Sequence, residues 1–136
     1  MDRKVRDQKL DSLARCLVRI EENAPKTVAE LESDIDRQDI LILNLERLVQ
    51  VSVDAGIAVL LEKGWSPIPD TMGAVFATLA ARKTITSDLA EKLKKSVGFR
   101  KVCVHEYDKI NWNIVFAIVT SQLGTFREYA RIIDAV

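Results

Sequence analysis

Residues 36–63 read DRQDILILNLERLVQVSVDAGIAVLLEK and predict the longest helix of the chain. Gly64 follows directly, and glycine readily takes the left-handed conformation in which many helices end. The second half of the stretch, residues 48–61, carries apolar side chains on nearly every face of such a helix. A helix of this kind is either surrounded by other helices or paired across a subunit interface. We therefore expect residues 36–63 to form the central helix.

The segments before this stretch predict one more helix and a short helical piece. In residues 27–33, Thr27 and Glu30 form a capping-box pattern, in which the hydroxyl and the carboxylate each accept a backbone N–H. Residues 3–22 repeat apolar side chains every three to five positions, as one face of a helix does. The residues of that face are Val5, Leu10, Leu13, Leu17 and Ile20.

A connector and another helix follow the central stretch. Two prolines within residues 65–69 exclude regular helix there, because proline fixes φ and lacks the N–H that a helix needs. The pattern then predicts a helix over residues 72–82. Either Asp70 or Thr71 can cap its N-terminus.

The C-terminal part predicts two further helices, which completes the fold class. Thr86 or Ser87 can cap the first of them, and Asn111 can cap the last. A glycine in a helix interior costs about 1 kcal/mol relative to alanine, so Gly98 predicts a break in the helix or a close backbone approach. With no convincing strand pattern, we expect an all-α fold, an antiparallel bundle of four to five helices.

Composition indicates one domain in a reducing compartment. The chain has 136 residues, 48% of them hydrophobic, which suffices to bury a core as a single helical domain over residues 1–136. Cys16 and Cys103 fit neither a disulfide framework nor zinc-ligand spacing. The charged N-terminal segment predicts no signal peptide, and no stretch approaches the ~20 apolar residues of a membrane span. We expect a cytoplasmic protein that does not contact membranes.

The net charge of zero conceals two regions of opposite sign. Residues 21–39 contain seven acidic and two basic side chains, whereas residues 82–101 contain seven basic and two acidic ones. A neutral chain is a poor candidate for binding long duplex nucleic acid, since neutralised phosphates supply that affinity. A local basic patch can still hold a few phosphates of a single strand. Taken alone, both charge runs are better explained as solvated helix faces.

The only histidine of the chain lies in residues 98–108, which read GFRKVCVHEYD. Within this segment, Arg100, His105 and Tyr107 have the spacing Arg-x4-His-x-Tyr. Three residues at fixed spacing are weak evidence, and a lone histidine is usually an ordinary surface or core residue. The context adds weight, because an apolar-patterned helix leads into the segment and another apolar-periodic stretch follows it.

This segment resembles the HEPN superfamily and, within it, the HepT-like toxins of toxin–antitoxin pairs. The matching residues are Gly98-Phe99-Arg100, Val104 to Asp108 and then Trp112. Residues 89–93 and 123–126 are also similar, so the likeness extends over nearly the whole chain and is specific around residues 98–108. One residue departs from the pattern: Lys101 stands where the family usually has Asn or another small polar residue.

The resemblance implies a homodimeric endoribonuclease toxin that cleaves mRNA or tRNA with neither a metal ion nor a cofactor. Histidine can take or give a proton near neutral pH, so His105 would act on the RNA 2′-hydroxyl. Arg100 would bind the phosphate oxygens as charge develops on them. We expect Lys95 and Lys101 to bind substrate, although a lysine cannot orient the histidine as an amide could.

Helix geometry limits how the two catalytic candidates can meet. Arg100 and His105 lie about 140° apart around one straight helix, so they would not converge on a single phosphate. Either the helix ends near His105, or a second copy of the chain completes the site. The resemblance implies the second arrangement, since the family brings two such motifs to one cleft at a dimer interface.

The resemblance also assigns a regulatory role to Tyr107. In HepT-like proteins the corresponding tyrosine is modified with AMP by a partner, a minimal nucleotidyltransferase antitoxin, which silences the toxin. A bulky anionic adenylate beside Arg100 and His105 would compete for the space and charge that a substrate phosphate needs. We therefore expect Tyr107 to be exposed and to accept AMP.

Other interpretations remain open at this point. The chain could be a non-catalytic helical module that binds nucleotide or substrate for a nucleotidyltransferase, or a plain dimeric interaction protein. A metal site is disfavoured, because one histidine and no clustered ligand spacing leave little to hold a transition metal. Asp54 lies inside the apolar central helix, where a carboxylate is costly unless it is paired. It could pair with Arg100 or another basic side chain, or it could face solvent.

Overall fold

The computed structural model describes residues 3–136, and over that range the chain is helical without a β-strand. A 3-10 turn (Tyr107–Lys109) follows the fifth helix, and a π-helical turn (Ile118–Gln122) joins the last two. In chain order the helices are α1 (Lys4–Glu22), α2 (Val28–Glu32), α3 (Ile35–Lys63), α4 (Met72–Ala81), α5 (Ser87–His105), α6 (Trp112–Ala117) and α7 (Leu123–Ala135). The all-α antiparallel bundle predicted from the sequence is confirmed.

Helix α3 is the centre of the bundle, as its apolar pattern predicts. It contacts α1, α2, α4, α5 and α7, and Leu48, Ala55 and Leu60 have no exposed surface. Its two ends follow the local sequence: the Asp34 carboxylate accepts the backbone N–H of Arg37, and Gly64 ends the helix at φ +68°. Most of the apolar surplus of α3 is thus covered within one chain, whereas Leu43 and Leu61 remain 44% and 53% exposed.

Threonine hydroxyls cap three further helices, α2, α4 and α5. Thr71 and Thr86, not Asp70 or Ser87, cap α4 and α5 by accepting the N–H three residues later. Thr27 caps α2 in the same way, but the carboxylate of Glu30 accepts the N–H of Lys26 instead of completing the box on Thr27. These short-range hydrogen bonds satisfy backbone donors that would otherwise lack partners.

The first helix corrects one expectation about its inward face. Val5 is 55% exposed, whereas the neighbouring Arg6 is buried, with only 5% of its surface exposed. The guanidinium of Arg6 donates to the Glu62 carboxylate at 2.5 and 3.0 Å and to the carbonyls of Ile133 and Val136 at 2.9 and 2.7 Å. A buried arginine can replace an apolar residue here because it joins α1 to α3 and to the end of α7 with its donors paired.

The prediction that Gly98 marks a break or a close approach is wrong. Helix α5 is continuous from Ser87 to His105, and a Cβ placed on Gly98 would meet no atom within 4 Å. Hydrogen bonds to neighbouring turns hold the glycine in the helix despite its low propensity.

Asp54 has partners, though not the arginine considered from the sequence. Its carboxylate lies 3.4 Å from the ammonium nitrogen of Lys9 on α1 and accepts a hydrogen bond from Gln50, one turn earlier on α3, at 3.0 Å. The contact therefore joins α3 to α1 and leaves Arg100 for other interactions.

The C-terminal helical run continues from Trp112 to Ala135 through the π-turn. Ile118 and Leu123, at the two junctions, keep right-handed helical dihedral angles, whereas Gln122 departs from them at φ −116° and ψ 2°. Asn111 caps this run as predicted, with its side chain accepting the N–H of Asn113. Over residues 3–136, none of the helices is both long enough and apolar enough to cross a membrane.

Candidate functional site

The motif of residues 98–108 lies at the C-terminal end of α5, where the chain turns. Helix α5 ends at His105, because Glu106 leaves the helical conformation at φ −138° and ψ 52°. The 3-10 turn Tyr107–Lys109 then leads to the cap of α6. The helix therefore ends at His105, but this end does not bring His105 into the cleft that Arg100 lines.

A cleft of about 560 Å³ runs beside this helix end. Its walls come from α3, α5 and the α6–π–α7 run, and they combine apolar side chains such as Phe99 and Phe126 with charged ones. The cationic side chains are Lys92, Lys95 and Arg100, and they face a single acid of the lining, Glu46. The cleft therefore offers an apolar floor with positive charge on one side.

Arg100 lines this cleft and has one donor without a partner among the described residues. Its side chain is half-buried, with Nη1 donating to the Met72 sulfur at 3.7 Å. Among residues 3–136, its Nε is the one buried side-chain nitrogen or oxygen without a hydrogen-bond partner. Unpaired donors of this kind are rare in a protein interior, but the Nε is closed to solvent, so an acceptor would reach it only after the Arg100 side chain moves.

The structure separates the predicted site residues into two groups. Lys95 and Arg100 line the cleft together, whereas Lys101, His105 and Tyr107 lie outside its lining. Lys101 and His105 are exposed. Five residues of helix advance by about 7.5 Å, and the cleft lining includes Arg100 but not His105.

Tyr107 is held by a contact that the sequence did not predict. Its hydroxyl donates a hydrogen bond of 2.8 Å to the Asp39 carboxylate on α3, 68 residues away. Its ring packs edge-on against Trp112 at 6.4 Å, and the residue remains 45% exposed. Burial is the largest cause that raises the pKa of Tyr107 to about 12, and the hydrogen bond to Asp39 and the negative charges of Asp39 and Glu46 act in the same direction.

Asp39 is thus the functional candidate that sequence reasoning missed. It belongs to the acidic run of residues 21–39, which the sequence alone explains as a solvated face. The local pattern around Asp39 carries no signal for a contact with the motif, because the two segments meet only when α3 and α5 pack together.

Cys103 lines the cleft but is buried, with only 3% of its surface exposed. Burial raises the pKa of its thiol to about 12, assisted by the nearby charge of Glu46, so the thiol stays protonated at neutral pH. Among residues 3–136, the His, Cys, Asp and Glu side chains form no group of three that could hold a metal ion.

Comparison with known proteins adds the family. The family model described as "Ribonuclease HepT-like" matches residues 13–133. The chain is 31% identical over 127 residues to the mRNA nuclease HepT of Shewanella oneidensis, covering 93% of this chain and 94% of that protein. It is also 33% identical over 93 residues to the tRNA nuclease HepT of Aphanizomenon flos-aquae, covering 66% of this chain and 63% of the relative.

A solved structure agrees with these matches. The tri-AMPylated HEPN toxin of Shewanella oneidensis, solved in complex with its MNT antitoxin, superposes with a TM-score of 0.91 at 29% identity and full coverage of both chains. The family resemblance carried by residues 98–108 is therefore confirmed over most of the chain. This chain belongs to the family of HepT-like ribonucleases.

Proposed function

We propose that this chain is the toxin of a toxin–antitoxin pair, an endoribonuclease that cuts RNA without a metal ion. The observation that carries the proposal is the position of Arg100 in the lining of a cationic cleft, about one and a half helical turns from the only histidine. The names of the two relatives, an mRNA nuclease and a tRNA nuclease, support RNA as the substrate. We infer that residues 1–136 act as one domain, in the cytoplasm.

In the proposed reaction the RNA supplies its own nucleophile. His105 takes the proton from a ribose 2′-hydroxyl, whose oxygen then bonds to the adjacent phosphorus. The bond from phosphorus to the 5′-oxygen breaks, and that oxygen receives a proton from a second acid. Arg100 donates hydrogen bonds to the phosphate oxygens as negative charge accumulates on them, which lowers the barrier.

A homodimer supplies the second acid and brings the two halves of the site together. Within one chain Arg100 faces the cleft while His105 is exposed beyond it, so a second copy of His105 can complete the arrangement. Exposed apolar side chains near the site favour such an interface, because Val104 is 44% and Ile114 is 53% exposed. We propose that this surface, at the end of α5 and the start of α6, pairs across a two-fold axis.

The substrate-binding role of the lysines belongs to the same proposal. Lys95 lies beside Arg100 on the cleft, where its charge would neutralise a phosphate next to the cleaved one. Lys101 is exposed on the same helix and would bind a phosphate further along the strand. Both contacts would contribute to affinity and to its salt dependence.

We propose that Tyr107 accepts AMP from a cognate minimal nucleotidyltransferase, which acts as the antitoxin. The relative solved as a tri-AMPylated HEPN toxin with an MNT antitoxin supports this assignment. The exposure of Tyr107 supports it as well, since a transferase must reach the hydroxyl. A negatively charged adenylate there would repel an RNA phosphate and obstruct the approach to His105.

RNA cleavage in excess EDTA tests the proposed reaction. We expect the purified chain to cut single-stranded RNA or tRNA, and Arg100→Ala and His105→Ala to lose about 10²-fold or more in rate while remaining folded and dimeric. Arg131→Ala, at an exposed position on α7, is the matched control and should retain the wild-type rate. Equal rates in all four proteins would overturn the assignment of the site.

The same assay separates the alternative function. A protein that binds RNA or nucleotide but never cuts, although mass spectrometry finds Tyr107 unmodified, would be a non-catalytic binding partner of the transferase. Lys101 is the residue to replace in that case: Lys101→Asn restores the small amide that the family usually has, and cleavage gained by this change would identify the lysine as the cause.

A further inference from the structure

We propose that Asp39 is the catalytic carboxylate for AMP transfer to Tyr107, so that the toxin itself contains the group that accepts the tyrosine proton. The inference rests on the proposed function, in which Tyr107 is the AMP acceptor. It adds a second participant from α3, 68 residues away from the modified side chain.

The geometry already matches proton transfer. The hydroxyl of Tyr107 donates to Asp39 Oδ1 at 2.8 Å, which lies within the range of about 2.6–3.2 Å that a general base needs. Trp112 packs edge-on against the same ring at 6.4 Å. The phenol is therefore held with its proton directed at a carboxylate while 45% of the residue remains accessible.

The raised pKa of Tyr107 favours a base beside its hydroxyl. Burial, the hydrogen bond to Asp39 and the neighbouring charges raise the pKa of Tyr107 to about 12. At pH 7 only roughly one phenol in 10⁵ would be ionised, so attack by a preformed phenolate would be very slow. Removal of the proton during the attack avoids this intermediate, and Asp39 is the acceptor already in contact with it.

The proposed step balances with a nucleoside triphosphate, ATP, bound to the transferase. The Tyr107 oxygen forms a bond to the α-phosphorus while its proton moves to Asp39 Oδ1. The bond from the α-phosphorus to the bridging oxygen breaks, and pyrophosphate leaves with that electron pair. Asp39 then releases the proton to water.

The product differs from the reactant in its relation to Asp39. The modified oxygen has no hydrogen left to donate, and the new phosphodiester adds a negative charge beside the carboxylates of Asp39 and Glu46, both of which already act on Tyr107. Repulsion between these groups favours movement of the adenylate away from α3. The reaction therefore removes the contact that promoted it, which opposes the reverse reaction.

A structural role for Asp39 predicts a different result from a catalytic one. If Asp39 only positions Tyr107, asparagine should serve almost as well, since its side-chain oxygen can accept the same hydrogen bond. If Asp39 takes the proton, asparagine should fail because an amide is not basic. Asp39→Asn is therefore the decisive variant, and Asp36→Asn, an exposed acid on the same helix, is its matched control.

The test is single-turnover AMP transfer from the cognate nucleotidyltransferase with ATP, with the first addition followed by intact-protein mass spectrometry. We expect Asp39→Asn to lower the rate constant at saturating transferase by about 10²- to 10⁴-fold, with little change in the concentration that saturates. Asp39→Glu should recover part of the rate, and Asp36→Asn should match the wild type. Thermal unfolding of each variant verifies that it is folded.

Tyr107→Phe separates this inference from the function on which it rests. If the phenylalanine variant accepts AMP as fast as the wild type, Tyr107 is not the acceptor. The proposed role of Asp39 is then also excluded. If Tyr107→Phe is not modified but Asp39→Asn is modified at the wild-type rate, Tyr107 remains the acceptor and the base belongs to the transferase. A slow Asp39→Asn variant that requires far more transferase for saturation would make Asp39 a docking residue and would also overturn the proposal.

Discussion

The hydroxyl of Tyr129 lies 2.8 Å from the position that a Cβ on Gly56 would occupy. The same hydroxyl donates a 2.7 Å hydrogen bond to the carbonyl of Ser52, one turn earlier on α3. Tyr129 has no exposed surface, and its ring packs edge-on against Phe76 of α4. Because Gly56 has no side chain, the Tyr129 hydroxyl can approach the backbone of α3 closely. This contact joins α7 to the central helix.

Filling this gap should destabilise the protein. Gly56→Ala brings the new methyl against Tyr129 and within 3.0 Å of Val75 and Leu79. Overpacking of this kind costs about 1–3 kcal/mol. The upper end of this cost exceeds the gain of about 1 kcal/mol that alanine brings over glycine in a helix. We expect a lower midpoint in urea unfolding.

Gly124→Ala is the control for this substitution. Gly124 also lies inside a helix, but a Cβ there meets no atom within 4 Å, so alanine should stabilise by up to about 1 kcal/mol. If both variants were equally stabilised, the close packing of Tyr129 on α3 would be contradicted.

Loss of the Arg6 guanidinium should be among the more damaging changes in the fold. In Arg6→Met, the Glu62 carboxylate, with a side chain only 13% exposed, loses its charged partner, and two carbonyls at the end of α7 lose their donor. Breaking a buried pair from one side costs about 3–5 kcal/mol. We expect a large drop in the free energy of unfolding by chemical denaturation.

The partner position provides the comparison. Adding Glu62→Leu to Arg6→Met removes the unpaired charge and should recover part of the lost stability. Arg3→Ala, which loses exposed ion pairs with Asp7 and Asp134, should have a much smaller effect. A double variant less stable than Arg6→Met alone would contradict this account.

The ionisation of Tyr107 can be measured directly. Difference absorbance titration of wild type against Tyr107→Phe should find a phenol with a pKa of about 12. In Asp39→Asn we expect a lower value that still exceeds the ordinary one of about 10, because burial, the largest cause, remains. A wild-type value near 10 would mean that the Tyr107–Asp39 contact does not persist in solution.

The same group predicts a pH dependence of stability. The folded state raises the pKa of Tyr107 above its unfolded value of about 10, so it favours the protonated phenol. Its contribution is fully present below about pH 10 and is lost as the pH rises towards about 12. Tyr107→Phe should lack this share of the alkaline loss, as pH-dependent urea unfolding can measure.

RNA binding should depend on the lysines of α5. Lys95→Ala and Lys101→Ala should each weaken binding and reduce the slope of log affinity against log salt by about 0.7, the value for one phosphate contact on a single strand. Lys63→Ala is the control, since Lys63 lies at the opposite end of α3 from Asp39, about 36 Å along the helix. An unchanged slope in Lys95→Ala would mean that the RNA does not bind in the cleft.

Much of the secondary structure could be predicted because its causes are local. A threonine cap acts over three residues, as at Thr86, and the left-handed end at Gly64 depends on that one residue. The apolar surplus of residues 48–61 likewise predicts a central helix from its own pattern. The prediction of a break or close approach at Gly98 is wrong because helix propensity is a weak local preference. The packing and hydrogen bonds of a long helix override it.

The sequence by itself determined the helices, the central position of α3, the family and the candidate residues Arg100, His105 and Tyr107. Only the tertiary structure decided which groups meet them. Asp39 reaches Tyr107 across 68 residues, and Arg100 faces a cleft from which His105 is absent. Periodicity records which face of a helix is apolar, but not which helix packs on it or at what height. Contacts between polar side chains on different helices depend on both, so they appear only once the bundle is assembled.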